Sequence, residues 1–454
     1  MTSLVPQPQA GYSVGTLRYN QRQLIFLFFW LMWNDFSITL IEQIGVLTNF
    51  VMKDHGATNT QIALMGTVGS FFFWINPWVS TWSDRLRSKW GRRRPFLFVA
   101  APFFAFFLAM TPYMPTIYHE LLRYPFMVSL SKHLPMSGEV LCMGVSNFFC
   151  GIFNAVLLAI FSYLYWDVVP GPVMGRFQAL SKTVSLVAGL TWSFWIWGLA
   201  DHHLKGVYVA TSAFCLVIYL ISVWRIKEGE YPPPDVHKKG GLVAPIRAYI
   251  VESYSKSYYL WIFVASLFFQ IGNLGGQYQS YYLHYDLKLD FAIMGWGNGW
   301  AQTLTTGFGL VCGFSIGTMT DRVKGVRLLA PCYVILAAIH LGGFYLVHDR
   351  WTYLGYASLI NLMLFIMGVA MGAFTIEIFP REKLGQFCSA QAMFYQFSIN
   401  LLNPFIGMFF DHVHNNRLGY LWQSTFYFLC AILYAKVYLN WYRRHGRPPV
   451  PHAG

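Results

Sequence analysis

Apolar residues run through this chain in blocks of helical length, each broken by a short polar stretch. Leu24 to Phe50 and Cys142 to Trp166 are two such blocks, and each exceeds the roughly 20 residues that cross the hydrocarbon of a bilayer. The pattern predicts spans over residues 23–51, 61–82, 95–112, 141–165, 178–200 and 206–224. A second set follows over 259–284, 293–318, 328–347, 354–376, 387–410 and 420–441. Twelve spans in two sets of six imply an all-α integral membrane protein. Its N-terminal half is 1–224, its linker 225–258 and its C-terminal half 259–454. The linker carries Tyr231-Pro-Pro-Pro234 and charges of both signs, and Pro112 to Glu139 reads as a short lid or an insertion.

Composition sharpens the class. Only 11% of the 454 residues are charged and 56% are apolar, whereas about a quarter are charged in soluble domains. The apolar run after Arg22 is too long for the core of a signal peptide and lacks a small-residue cleavage site, so it reads as a retained first helix. The seven cysteines form no CxxC pair or regular framework, and disulfides are not expected.

The net charge of +13 first suggests nucleic acid, but its meaning depends on where the charges fall. With both termini in the cytoplasm, most of the 32 Lys and Arg lie in inner segments. The positive-inside rule then explains the balance. Anionic lipid headgroups, not nucleic acid, are the expected partners of these patches.

The two halves repeat each other. Asp84-Arg85 follows span two and leads into Gly91-Arg92-Arg93-Arg94-Pro95; Asp321-Arg322 follows span eight. After span four, Asp167, Pro170, Gly175 and Phe177 recur after span ten as Glu377, Pro380, Gly385 and Phe387, at a constant offset of 210. Duplicated halves are how many secondary transporters are built, with the solute site between them. Asp84, Arg85, Arg92, Arg93, Asp167, Arg176, Asp321, Arg322 and Glu377 are the candidates for a cytoplasmic gate, in which carboxylates pair with basic loops in one state and release them in the other. A static charged loop that only sets topology is the alternative.

Ser83-Asp-Arg-Leu-Arg-Ser-Lys-Trp-Gly-Arg-Arg-Arg-Pro-Phe96 resembles the inner-loop signature of the major facilitator superfamily. It is most similar to the sucrose-transporter-like and glycoside-pentoside-hexuronide:cation symporter branches. Asp167-Val-Val-Pro170 with Gly175-Arg176, and the linker opening at Lys227, look like the same group. The resemblance implies a major facilitator fold of two pseudo-symmetric six-helix bundles. In melibiose-permease-like members a first-helix aspartate contacts sugar hydroxyls, and Asp35 stands in the matching place. Those members also carry sodium-binding aspartates in helix two and a lysine in helix eleven. Phe72 to Pro77 and Gln391 to Asn403 lack both, which favours protons over sodium as the coupling ion.

Charges within spans point to chemistry, because an ionised group at mid-bilayer costs at least about 2.5 kcal/mol. Asp35 and Glu42, seven apart in span one, share a helix face with Thr39 between them. A carboxylate in such a setting can pick up and release a proton. Glu42 alternatively lies close enough to the outer surface to be solvated or to pair with Lys53. Amides supply the donors and acceptors that sugar hydroxyls need. Asn273, Gln277, Asn298 and Gln391 are the solute-binding candidates, against interhelical hydrogen bonding as the rival role. Gly272, Gly275 and Gly276 suggest a flexing or broken helix at that site, Trp33 a ring stacked on the solute, and His340 a structural histidine.

Enzyme readings are weaker. Gly313-Phe-Ser315-Ile-Gly317 matches a G-x-S-x-G string, but it lies within a span where no strand-to-helix elbow can form. No convergent His, Asp and Ser set accompanies the intramembrane acids, and no metal site or cofactor is expected. The sequence therefore predicts a proton-coupled sugar or glycoside symporter of the inner or plasma membrane, monomeric and working by alternating access. Another small polar solute, or export, stays open.

Overall fold

The computed structural model describes residues 12–71, 79, 82–83, 86, 88–134, 136–229, 250–380 and 384–445. A short hairpin opens it, pairing Tyr12–Val14 (β1) with Leu17–Tyr19 (β2). Gly15 supplies the positive φ of 55° that its two-residue loop needs. Every named element after the hairpin among the described residues is helical.

In the N-terminal unit the helices are α1 (Gln21–Asp54), α2 (Asn59–Phe71), α3 (Arg94–Met110), α4 (Met114–Leu121), α5 (Pro125–Ser131), α6 (Gly138–Val168), α7 (Met174–Thr191) and α8 (Trp197–Arg225). Asn20 starts α1 through a capping box: its side chain accepts the Gln23 N–H at 2.8 Å while Gln23 returns a bond to the Asn20 N–H at 3.0 Å. A π turn, Trp192–Ile196, joins α7 to α8, and α8 is two helices meeting at His203, whose φ of −131° and ψ of 43° leave the helical region. Residues 112–139 are mostly helical, as α4 and α5. Gly138 lets Tyr118 of α4 lie where a Cβ would stand, and His119 Nε2 reaches Glu139 Oε1 at 2.8 Å.

The C-terminal unit holds α9 (Ser257–Tyr281), α10 (Phe291–Val323), α11 (Gly325–Leu346), α12 (Arg350–Ile378), α13 (Leu384–Val413) and α14 (Leu418–His445). Asp349 caps α12, accepting the N–H groups of Trp351 at 3.0 Å and Thr352 at 2.8 Å. The chain divides into compact units Met1–Lys238 and Lys239–Gly454.

Among the described residues, seven helical segments are long and apolar enough to cross a membrane. One of them, Gly171–Arg225, contains two predicted spans and the break at His203. Apolar residues point outward as well as inward: on α10, Leu310, Val311 and Phe314 are 84%, 80% and 89% exposed. Such a surface is stable only against lipid, where the helix satisfies its own backbone. The protein is an all-α, multi-pass membrane protein.

Gly272 and Gly275 do not break α9, which runs unbroken through them. They let it approach α14 instead. A Cβ on Gly419 would stand 2.7 Å from the Gly275 carbonyl oxygen, and one on Gly275 2.9 Å from the Gln423 side chain. Small residues here serve close packing, as they do between helices in lipid, so the expectation of a broken helix at this cluster is corrected. The G-x-S-x-G string likewise lies inside continuous α10.

Candidate functional site

Two constellations occupy the N-terminal unit. The first lies where α3 begins and α6 and α8 finish. Arg92 donates to Asp167 through Nη2 at 2.6 Å and Nε at 3.2 Å, and Arg93 Nε donates to the same carboxylate at 3.0 Å. Arg93 is buried, bonded also to the Ser83 hydroxyl and stacked over Tyr163 at 5.0 Å. Beneath them Glu228, its side chain fully buried, accepts the backbone N–H groups of Arg92, Arg93 and Arg94 at 2.8, 3.0 and 2.9 Å. The first turn of α3 has no side-chain cap of its own, so Glu228 supplies one at the positive end of the helix dipole. Gly91 permits this. Its φ is 97°, and a Cβ there would stand 2.7 Å from the Glu228 carboxyl carbon.

The repeat is preserved in position but not in chemistry. Glu377, matching Asp167, binds no arginine among the described residues: its two oxygens accept the backbone N–H groups of Gly325 and Val326, each at 3.2 Å, at the start of α11. Glu377 thus does for α11 what Glu228 does for α3. Gly325 is required because a Cβ would stand 2.5 Å from the Phe374 nitrogen. Arg176, Asp321 and Arg322 are exposed and outside both networks. Asp84 and Arg85 lie outside the described residues.

The second constellation is inside the bundle. Asp35 is buried on α1 and accepts the Tyr165 hydroxyl of α6 at 3.2 Å through Oδ1. Its Oδ2 is buried with no hydrogen-bond partner among the described residues. Ser181 and Lys182 of α7 are its neighbours, and Lys182 acts electrostatically on Glu42 as well. Glu42 is exposed on the same face of α1, about 10 Å further along the helix. Thr39 turns its hydroxyl back to the Asp35 carbonyl at 3.1 Å.

Trp33 is not part of this group. Its ring packs among Phe29, Phe36 and Phe214 at centroid distances of 6.1, 5.6 and 6.0 Å, because two residues along a helix place side chains on nearly opposite faces. In the C-terminal unit the candidate amides already have protein partners. Tyr427 donates to Asn273 at 2.6 Å, Tyr353 to Asn298 at 2.8 Å, Gln277 to the Tyr281 hydroxyl at 2.6 Å and Gln391 to Ser266. Gln270, Asn273 and Gln277 are at least partly exposed on one face of α9. Behind them Tyr356 donates to Gln279, which bonds Gln423, which bonds Tyr427. His340 is buried, bonded to the Leu336 carbonyl oxygen at 2.8 Å and set edge-on to Tyr356 and Tyr427.

Sequence reading passed over Lys182, Tyr165, Glu228 and the Gln279–Gln423 pair. Lys182 carried a usable signal, being a lysine inside predicted span 178–200. Glu228 stood in the linker opening without a stated role. For Tyr165 and the glutamines no signal was available, since only packing brings their partners near.

The sequence model of the Major Facilitator Superfamily matches residues 24–399. The chain belongs to this superfamily. No curated protein sequence matches it. Solved structures share the fold at low identity. The nucleoside transporter NupG aligns with a TM-score of 0.65 and 10% identity, covering 92% of this chain and 100% of that one. A bacterial homologue of the iron transporter ferroportin, in its inward-facing state, gives 0.63 and 11%, with coverage of 92% and 98%. A D-xylose-proton symporter gives 0.62 and 12%, covering 92% and 97%. The superfamily and these structures are transporters, so this chain is a secondary transporter of a small molecule and not an enzyme.

Proposed function

We propose that this chain imports a sugar or glycoside together with protons, by alternating access between two six-helix halves whose termini are both cytoplasmic. The observation that carries the proposal is Asp35: a buried carboxylate within a span, bonded through Oδ1 to Tyr165 and with the Ser181 side chain of α7 beside it. Burial makes such a group costly to ionise and therefore ready to exchange a proton with the state of the site. Glu42 assists on the same face. The half-exposed amides of α9 offer donors and acceptors of the kind hydroxyl-rich solutes require, and a proton-coupled pentose carrier shares the fold. The Asp167 cluster with Arg92 and Arg93 acts in this reading as the cytoplasmic latch of the N-terminal half, and Glu377 holds the equivalent place in the other.

The deciding experiment is solute-induced proton movement in proteoliposomes, with mono- and disaccharides screened in the presence and absence of sodium. Proton uptake that accompanies a sugar without sodium, and disappears in Asp35→Asn, is the expected result. Proton silence with every sugar would overturn the reading.

A further inference from the structure

The aromatic cluster around Trp33 has no part in the proposed function, and it borders a groove of its own. Phe36 and Leu40 of α1, Ile196 of the π turn, and His203, Ala210 and Phe214 of α8 line a space of about 510 Å³. Trp33 packs against two of these walls, its ring centroid 5.6 Å from that of Phe36 and 6.0 Å from that of Phe214. Both irregularities between α7 and the end of α8 lie in the lining, the π turn through Ile196 and the helix break through His203. Such π turns are frequent at functional sites.

The lining excludes a hydroxyl-rich solute. Of its ten residues only His203 and Thr211 carry polar side chains, whereas each sugar hydroxyl asks for a donor and an acceptor. Trp195, Val209 and Val217, on the same stretch of chain, are exposed, so the groove adjoins the apolar surface that meets lipid. Its length is that of one leaflet. His203 falls between predicted spans 178–200 and 206–224, at a membrane surface, while Phe36 and Phe214 stand near the middles of spans 23–51 and 206–224. Helix from His203 to Phe214 rises about 17 Å, and half of a hydrocarbon core of about 30 Å is about 15 Å.

We infer that this groove is a phospholipid site, holding one acyl chain from the interface at His203 to the bilayer midplane at Phe36 and Phe214. Lipid hydrocarbon is as apolar as the groove, so the preference for this position comes from close contact with fixed walls on several sides. The headgroup then lies beside the exposed imidazole of His203, whose ring N–H can donate to a phosphate oxygen. The site does not depend on which solute the protein carries.

The test uses the full chain in phosphatidylcholine vesicles doped with phosphatidylcholine that bears a diazirine either at the end of one acyl chain or beside its ester. Adducts are mapped by mass spectrometry after photolysis. Chain-end label is expected on Phe36 and Phe214, and ester-side label on His203 and Gly206. Ala210→Trp, which places an indole in the groove from an exposed position, is expected to lose the Phe36 and Phe214 adducts. Leu310→Trp, on the exposed apolar face of α10, is expected to keep them.

Chain-end adducts no more frequent in the groove than at Leu310, Val311 and Phe314 would mean ordinary lipid contact and overturn the site. Groove adducts that vanish as the protein-to-lipid ratio rises would give the groove to a second copy of the chain, and adducts that persist in Ala210→Trp would show that lipid is not held inside it. Where that variant fails to fold, seen as early reaction of the buried thiol of Cys215, the wild type still decides, since a reversed or absent depth order of the two labels also defeats the inference. No readout here involves transport, so a failure of the proposed function leaves this result standing.

Discussion

Replacing Glu228 by alanine removes the acceptor of three backbone N–H groups at once. The native carboxylate is fully buried and meets those of Arg92, Arg93 and Arg94 at 2.8, 3.0 and 2.9 Å. A hydrogen bond to a charged group contributes about 1.5–3 kcal/mol. Three at the lower figure give about 4.5 kcal/mol, and the helix-dipole attraction is the field of the same N–H groups, so it is not added. Water entering the space left by the side chain takes over some of those bonds. The expected loss is about 3 kcal/mol, in line with removing one partner of a buried charged pair. In a unit of this size, each kcal/mol lowers the melting temperature by about 2–4 °C, and the variant should melt about 6–12 °C early. A thiol-reactive dye reads this directly, because Cys150 and Cys215 are free and buried in the same unit and react only when it opens. Glu228→Gln keeps an acceptor oxygen but turns an amide NH₂ toward donors, and its loss should fall between. A melting point for Glu228→Ala within about 1 °C of wild type would refute the capping argument.

Three further outcomes are expected. Tyr165→Phe removes the hydroxyl that Asp35 Oδ1 accepts; at about 1 kcal/mol for one such bond, initial uptake should fall about five-fold, and unchanged uptake kinetics would detach Tyr165 from the site. Gly419→Leu forces a side chain where the Gly275 carbonyl oxygen stands 2.7 Å from a Cβ position. Overpacking of this kind costs about 1–3 kcal/mol, and early reaction of Cys430, a buried free thiol in that unit, would report it. Asp349 has its carboxyl held below the usual carboxylate range, first by the backbone N–H of Thr352 and then by its hydroxyl. The folded value lies under the unfolded one, so the cap is fully effective above the ordinary carboxylate pKa and is lost as pH falls through the lowered value. Protection factors at Trp351 and Thr352, which divide out the intrinsic base catalysis of amide exchange, should fall on that acidic side and stay constant between pH 6 and pH 8.

Much of the architecture was legible because lipid imposes a simple requirement: backbone polar groups must pair within their own segment, so apolar blocks of sufficient length become helices. The Asp-Arg and Gly-Arg-Arg-Arg-Pro loop, the repeat at offset 210 and Asp35 were visible for similar reasons, since charge is too costly in or near a bilayer to occur without a partner or a purpose. Which partner a charge takes is a different kind of fact. Asp167 and Glu377 occupy matching positions, yet one holds two arginine side chains and the other two backbone N–H groups. That division depends on how closely each helix start approaches its neighbour, which Gly91 and Gly325 control in three dimensions.

The amides and glycines show the same limit. Gly272 and Gly275 suggested a flexing or broken helix, and only the position of α14 shows that they serve packing. Trp33 and Asp35 are near neighbours in sequence but face apart on the helix. Lys182, Asp35 and Glu42 come from helices about 140 residues apart along the chain, and folding alone brings their fields together. The sequence by itself determined a membrane protein of long helices with duplicated charged loops, because desolvation acts on each segment locally. Tertiary structure decided the pairing of those charges, because Coulomb interactions and hydrogen bonds depend on distances that composition and spacing do not contain.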